Sequence, residues 1–257
     1  MAMGPVELRE QLAAGHNVFG TMAFEFNTSG LTALAAAAGA DFILYDMEHT
    51  GWSVESMRNQ MAWSMGSDIT RLVRVPSSRY EDIARVLDIG AQGVMVPMVE
   101  SADQAQHIAA SMLYPPDGKR GAAFGIAHDH YTTGSVADKM AAANASRLCI
   151  AQIETSAGVE QVEAIAAVPG IDVLWVGQFD LTLSLGIPAQ FDNPTFLAAL
   201  DRVVAAARTH GKVAGAMALS VDDARRWMAC GFTMIAYSGD LWIYQQALKS
   251  ALDQLKS

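Results

Sequence analysis

The 257-residue chain has no run of about 20 consecutive apolar residues, the length that spans a bilayer, so no membrane helix is expected. Its two cysteines, Cys149 and Cys230, are too few for a disulfide framework; in apolar surroundings they read as small buried residues of a reducing compartment. Basic residues are scarce, 17 Lys+Arg against 27 Asp+Glu, a net charge of −10. Nucleic acids and anionic membrane surfaces both need clustered cations, so neither partner is expected. Charged residues make up only 17% and hydrophobic residues 51%, which excludes a disordered chain. No Pro/Ser-rich linker or long charge run divides the sequence. The stretch Met1–Gly15 places Glu7, Arg9 and Glu10 where a signal peptide needs an apolar core, so a cytoplasmic protein is expected.

What is present is an alternation of short β-type runs and longer helical patterns. Val18–Phe24 precedes a helix pattern over Leu31–Ala38, which Gly39 ends. Phe42–Tyr45 precedes Val54–Met65, Thr70–Val75 precedes Tyr80–Leu87, and Gly93–Val96 precedes Ala102–Met112. An irregular stretch, Tyr114–Ser135, and a short helix follow. Then come Leu148–Ile153 with Val159–Ala167, and Val173–Val176 with a loop and a helix over Thr195–Thr209. Val213–Ala218 with Val221–Ala229, and Met234–Tyr237 with Leu241–Leu255, complete eight units. The strand runs are continuously apolar, as parallel strands covered on both faces are. Eight such units predict one (β/α)8 barrel over residues 1–257. An open doubly wound sheet is the alternative. Its dinucleotide-binding form is disfavoured because no Gly-x-Gly-x-x-Gly follows the first strand.

Barrel enzymes work at the C-terminal ends of their strands. There the sequence has Asp46-Met47-Glu48-His49, Arg74, Gln152-Ile153-Glu154, Gly177 through Asp180, and Ser238-Gly239-Asp240. Arg74 lies inside an apolar run, where a guanidinium needs a partner. It is either half of a structural ion pair, for example with Glu154, or a planar donor for a carboxylate or carbonyl oxygen. Glu154 and Asp180 end neighbouring strands. They either hold a divalent cation through oxygen ligands or form caps and ion pairs. His49 follows two acids, one of which could orient its ring. His128-Asp129-His130 sits in the long loop and suits a lid or a substrate contact. None of the five lysines, Lys119, Lys139, Lys212, Lys249 and Lys256, is expected at a strand end, which disfavours imine chemistry. Carbonyl chemistry here then calls for a metal.

These pieces resemble the HpcH/HpaI family of metal-dependent, class II pyruvate-type aldolases, related to the citrate lyase β-subunit. The matching segments are Asp46-Met47-Glu48-His49, Leu72-Val73-Arg74, Leu87-Asp88-Ile89-Gly90, Val96-Pro97-Met98-Val99, Tyr114-Pro115-Pro116 through Arg120-Gly121, Gln152-Ile153-Glu154-Thr155, and Gly177 through Asp180-Leu181. The resemblance implies that Glu154 and Asp180 hold Mg2+, Mn2+ or Co2+, and that a pyruvate-like 2-oxo acid is the donor. It implies that Arg74 contacts the keto oxygen, that backbone N–H groups near Phe179 and Asp180 hold the carboxylate, and that Gln152 lines the pocket. His49, paired with Asp46, is implied in proton transfer, and Asp88 is implied to reach the site of a neighbouring subunit. It further implies an aldehyde co-substrate and a homohexamer, a trimer of dimers, with the last helix swapped between partners. A decarboxylase acting on a 2-oxo acid such as oxaloacetate, or a non-catalytic 2-oxo-acid binder, are the alternatives.

The chain also departs from the family. The common Gly-Pro-x-Asp-Leu is here Gly177-Gln178-Phe179-Asp180-Leu181. Members acting on dicarboxylic products carry Ser and Arg in the long loop, where this chain has Phe124 and His128. The expected acceptor is therefore a neutral or hydroxylated aldehyde rather than an acidic semialdehyde.

Overall fold

In the computed structural model, which describes residues 4–257, eight parallel strands close into a barrel in sequence order. They are β1 (Val18–Ala23), β2 (Phe42–Asp46), β3 (Thr70–Arg74), β4 (Gly93–Val96), β5 (Leu148–Ile153), β6 (Val173–Val176), β7 (Val213–Ala218) and β8 (Met234–Gly239). Each apolar run of the sequence is one strand, and the expected (β/α)8 barrel is the fold. Residues 1–3, which open the Met1–Gly15 stretch and the expected single domain, lie outside the described residues.

Side-chain alternation sorts the core into two layers. Leu44, Leu72, Ile150, Trp175 and Met234 fill the barrel interior together with Phe42 and Leu148. Ile43, Val73, Ala151, Leu174 and Ile235 face outward and pack under the helices. Burial of each such side chain contributes about 1.5–3 kcal/mol. The interior is matched large to small: the Trp175 indole occupies the space beside Gly215, where a Cβ would collide with its ring.

The helices are α1 (Pro5–Ala13), α2 (Leu31–Ala37), α3 (Val54–Trp63), α4 (Tyr80–Asp88), α5 (Ala102–Met112), α6 (Val136–Ser146), α7 (Ser156–Glu160), α8 (Val162–Ala166), α9 (Gln178–Ser184), α10 (Pro194–Thr209), α11 (Val221–Cys230) and α12 (Asp240–Lys256). Ser53, Ser101, Ser135, Thr155, Asn193 and Ser220 cap six of them, each side-chain oxygen accepting from a first-turn N–H. No helix among the described residues is long and apolar enough to cross a membrane.

Four features differ from the sequence expectation. The N-terminal stretch forms α1, whose Leu8 and Leu12, one turn apart, join the interior cluster and plug the barrel. The helix expected over Val159–Ala167 begins earlier and breaks at Gln161 into α7 and α8. The expected loop after β6 is the helix α9. Cys230, expected to be buried, is exposed at the end of α11, whereas Cys149 is buried.

The last helix contrasts with the others. Asp240 is its one buried residue, and Tyr244, Leu248 and Leu255 are exposed. Its first turns touch the β1 loop through ring contacts, Phe24 with Trp242 at 5.0 Å and Phe26 with Tyr244 at 5.8 Å between centroids. Asp240 anchors its start by accepting from the backbone N–H groups of Phe24 (2.9 Å), Glu25 (3.1 Å), Phe26 (2.7 Å) and Leu241 (2.8 Å).

Candidate active site

The interior columns turn polar at their C-terminal ends. On β2, Phe42 and Leu44 lead to Asp46; on β3, Leu72 leads to Arg74; on β5, Leu148 and Ile150 lead to Gln152. A cavity of about 750 Å3 opens there. Its lining includes His49, Arg74, Gln152, Gly177, Phe179 and Asp180 together with the apolar Met22, Phe24, Met217, Leu219 and Trp242. Trp175 also borders it, joining the apolar interior to the polar mouth.

Arg74 is the hub of the polar lining residues. Its Nε donates to Asp46 Oδ1 at 2.7 Å, and its Nη1 lies 3.2 Å from Glu48 Oε2. Burial opposes the charge, but Asp46, Glu48 and Glu154 outweigh it and hold the guanidinium pKa above its ordinary value. The partner of Arg74 is thus Asp46 rather than Glu154. Asp46 is fully buried and also accepts from the backbone N–H groups of Glu48 (3.0 Å) and His49 (3.1 Å), which shapes the turn after β2. The expected pairing of the His49 ring with Asp46 is therefore not formed, because that carboxylate is engaged by its own turn and by Arg74. The ring instead has Nε2 3.6 Å from Glu48 Oε2 and is half exposed toward the cavity.

Glu154 is buried beside Gln152, whose amide donates to Glu154 Oε2, while Met98 N–H donates to Oε1 at 2.7 Å. Met98 adopts a left-handed backbone, φ 54°, at this contact, a conformation costing a non-glycine residue about 1–2 kcal/mol. Gly177 is required opposite, since a Cβ there would strike both Glu154 and the Gln152 amide. Asp180 stands in the first turn of α9. Gln178, where the family commonly has Pro, donates to the Met217 carbonyl at 2.9 Å and ties this turn to β7.

The electrostatics favour a cation. Burial, reinforced by Glu48 and Asp180, pushes Glu154 up to about 7 against the opposing hydrogen bonds from Met98 and Gln152. Burial also raises Glu48, with Asp46 and Asp180 adding to the effect against Arg74. Gln152 Oε1 is a buried acceptor with no hydrogen-bond partner. Among the described residues no three His, Cys, Asp or Glu side chains form a complete metal cage. Two carboxylates with an unused amide oxygen instead fit a hard cation that completes its shell with water and substrate oxygens.

Other expected residues lie elsewhere. Asp88, at the end of α4, pairs with Arg120 Nη2 at 2.6 Å and is not among the cavity-lining residues. His128 is buried against Tyr114 and Phe124 rather than at the cavity. Lys249, expected to be away from the site, does line the cavity mouth from α12, where its Nζ is 2.6 Å from Asp253. Glu48 is the group whose role sequence reasoning undervalued. Its signal was proximity, because it lies two residues beyond Asp46 in the turn that Asp46 shapes.

The profile of the HpcH/HpaI aldolase/citrate lyase family matches residues 24–247. A 5-keto-4-deoxy-D-glucarate aldolase of Klebsiella pneumoniae is 36% identical over 225 residues, 88% of this chain and 87% of the relative. A solved HpcH/HpaI aldolase from Desulfitobacterium hafniense superposes with a TM-score of 0.92 at 29% identity, covering 97% of this chain and 96% of that one. A HpcH/HpaI aldolase/citrate lyase family protein from Burkholderia cenocepacia does so with 0.90 at 31% identity, covering 97% and 99%. Barrel and similarity over most of the length agree: the chain belongs to the HpcH/HpaI aldolase/citrate lyase family and is a carbon–carbon lyase.

Proposed function

We propose that the protein is a metal-dependent aldolase that joins or cleaves a pyruvate-like 2-oxo acid, pyruvate or hydroxypyruvate, and an aldehyde, with a 4-hydroxy-2-oxo acid as the adduct. The observation that carries this reading is that Arg74 and Asp180 line one cavity while Glu154 is buried behind its Gln152 wall, close enough to feel the Asp180 charge. Glu154 and Asp180 would hold Mg2+, Mn2+ or Co2+. When bound, the cation supplies Lewis-acid charge that makes the donor's methyl or hydroxymethyl protons acidic.

The chain's own groups do the rest. Arg74, held rigid by Asp46 and Glu48, donates to the donor's keto oxygen and stabilises the negative charge that develops there. The backbone N–H groups of Phe179 and Asp180, in the first turn of α9, receive the donor carboxylate. Gln152 borders the donor. His49 takes the proton from the donor carbon, directly or through water, with Glu48 beside its ring to stabilise the protonated form. In the cleavage direction the same group returns it.

Asp88 completes a neighbouring subunit's site in this reading, within a homohexamer built as a trimer of dimers. The exposed apolar positions of α12 support its exchange between partners. The reading places the enzyme in the cytoplasm.

The acceptor is a neutral or hydroxylated aldehyde, since Phe124 and His128 pack on Tyr114 and offer no guanidinium to a second carboxylate. The relatives' named substrate, 5-keto-4-deoxy-D-glucarate, is a competing test case, because removal of a pyruvate unit from that diacid leaves an aldehyde bearing a carboxylate. Strong preference for succinic semialdehyde over glycolaldehyde would overturn the neutral-acceptor reading.

The decisive assay is exchange of pyruvate methyl protons in heavy water, followed by NMR. Exchange should require Mg2+, Mn2+ or Co2+, stop on chelation, and be abolished in Glu154→Ala and Asp180→Ala. Metal-independent exchange, or full exchange in either variant, defeats the assignment. Oxaloacetate incubated with and without aldehyde separates aldol addition from simple decarboxylation.

A further inference from the structure

A second charged cluster lies at the other end of the barrel, near the start of β3 and β5. Alternation turns Arg71 of β3 outward, and its Nε donates to Gln92 Oε1 at 3.1 Å while Nη1 donates to the Ser64 carbonyl at 3.0 Å. Arg147, next to β5, donates Nη1 to the Ala91 carbonyl at 3.0 Å and Nη2 to the His128 carbonyl at 3.3 Å. Arg71 is 4% exposed and Arg147 7%. Their hydrogen-bond acceptors are neutral oxygens, and among the described residues neither guanidinium has a carboxylate within ion-pair distance. Of the nearby carboxylates, Asp88 pairs with Arg120 at 2.6 Å and Asp129 Oδ2 with Lys139 at 2.7 Å; Asp129 Oδ1 is buried without a hydrogen-bond partner but forms no ion pair with Arg71 or Arg147. Arg147 Nε is buried with no hydrogen-bond partner.

Both residues border a small, partly enclosed cavity of about 30 Å3, which Gln92, His128 and His130 also line. A cavity needs roughly 10–15 Å3 to admit one water-sized particle, so this one has room for an ion the size of chloride. Its remaining wall includes Met61 and Ile89, which offer a water no side-chain hydrogen bonds. A lone water would also leave both buried positive charges uncompensated, and burying an unpaired charge is costly.

We propose that this void is a halide site that takes chloride, held by the free Nε–H of Arg147 and by the Arg71 guanidinium. The ion bridges β3 to the segment after Arg120, because Arg147 also holds the His128 carbonyl of that segment. It thereby fastens the long loop against the end of α4. Burial, together with the neighbouring Arg120 and Arg71 charges, lowers the Arg147 pKa to about 10, the direction a nearby anion would reverse. The site is independent of the proposed aldol chemistry at the opposite rim.

The test replaces chloride by bromide in crystals of the full chain and records anomalous scattering at the bromine edge. A peak in the void, in contact with Arg147 Nε and the Arg71 guanidinium, is expected. Absence of a peak there, or a carboxylate of a second subunit filling the void, overturns the proposal. In solution, the thermal midpoint should rise and saturate as chloride replaces gluconate at constant ionic strength. Arg71→Met should lose that chloride-specific rise. No rise in the unmodified protein, or an equal rise in Arg71→Met, also overturns it. Should Arg71→Met fail to fold, the bromide result on the unmodified chain decides.

Discussion

Arg71 and Arg74 stand three residues apart on β3, yet they meet opposite solutions to the same electrostatic problem. Arg74 points into the barrel mouth and is bracketed by formal negative charge, Asp46 at 2.7 Å and Glu48 at 3.2 Å. Arg71 points away from the barrel and is held by the Gln92 amide oxygen and the Ser64 carbonyl. The surplus charge is negative at the first place, where Glu154 and Asp180 add to Asp46 and Glu48, and positive at the second, where Arg120 and Arg147 add to Arg71. A buried charge tied to an opposite charge cannot be removed without stranding its partner; one held by carbonyl dipoles can. The mouth is therefore the less forgiving end.

The largest expected effect follows directly. Arg74→Ala leaves Asp46 buried without its cation and should destabilise the fold by about 3–5 kcal/mol. It should also lower kcat/KM for aldol cleavage by about 10²–10³-fold, the usual loss for one donor to a developing oxyanion. Arg74→Lys restores the charge without the planar fork and should recover stability more than rate. Equal recovery of both would show that Arg74 acts on the fold alone. Urea denaturation and steady-state kinetics separate the two quantities.

Next in size is the pH response of the mouth. Glu154 is raised from 4.5 to about 7 chiefly by burial. Its folded value exceeds its unfolded one, so between those values the metal-free fold binds a proton that the unfolded chain does not. Metal-free stability should then fall as pH rises from about 4.5 to 7, by a total on the order of 3 kcal/mol, and change little above. Metal affinity runs the other way, because the ligand must be ionised. It should rise roughly tenfold per pH unit below 7 and level off above. Calorimetric titration with Mg2+ or Mn2+ from pH 5.5 to 8.5 checks this, and a flat profile would remove Glu154 from the metal site.

Much of this contrast was legible in the sequence, and the missing part has physical causes. Phe42–Tyr45 and Leu148–Ile153 are unbroken apolar runs, so their strands and the polar residues ending them could be read directly. Helix α1 escaped because its buried face is only Leu8 and Leu12 among charged neighbours, and its role, plugging the barrel, exists only once the barrel closes. Gln178–Ser184 escaped because its first turn is pinned by a contact with Met217, far away in sequence. His49 meets Glu48 rather than Asp46 because Asp46 is taken up by the backbone of its own turn, a geometry that residue order does not state. Asp88 was read by family resemblance alone, and within one chain it serves Arg120. The positive cluster at the other end was invisible because Arg71, Arg120 and Arg147 are far apart along the chain.

A smaller effect is expected at Asp240, a buried carboxylate with no cation within ion-pair distance among the described residues. Backbone N–H groups of Phe24, Glu25, Phe26 and Leu241 satisfy it, making it the negative counterpart of Arg71. Asp240→Ala should cost about 1–3 kcal/mol by stranding those donors. Because they belong to the β1 loop and the start of α12, the variant should also loosen α12, seen as faster hydrogen exchange in residues 241–248. A stability loss without faster exchange there would mean that the ring contacts of Trp242 and Tyr244, not Asp240, hold the helix start.

The smallest effect should come from Arg71→Met, and it bears most directly on the contrast between the two ends. The substitution removes bonds only to neutral acceptors, chiefly the Gln92 amide oxygen and the Ser64 carbonyl, each of which keeps a backbone N–H donor, and introduces an unbranched apolar side chain near Met61 and Met65. Losing those hydrogen bonds costs about 1 kcal/mol net each. Relief of an unpaired buried charge, repelled by Arg147, works in the opposite direction. The balance should lie within about 1.5 kcal/mol of zero in chloride-free buffer, well below the cost of Arg74→Ala. Chloride-free conditions matter, since an anion bound by the unmodified protein would stabilise it and enlarge the difference by mass action. Should Arg71→Met cost as much as Arg74→Ala without chloride, carbonyl dipoles compensate a buried guanidinium as fully as carboxylates do, and the contrast between the two ends fails.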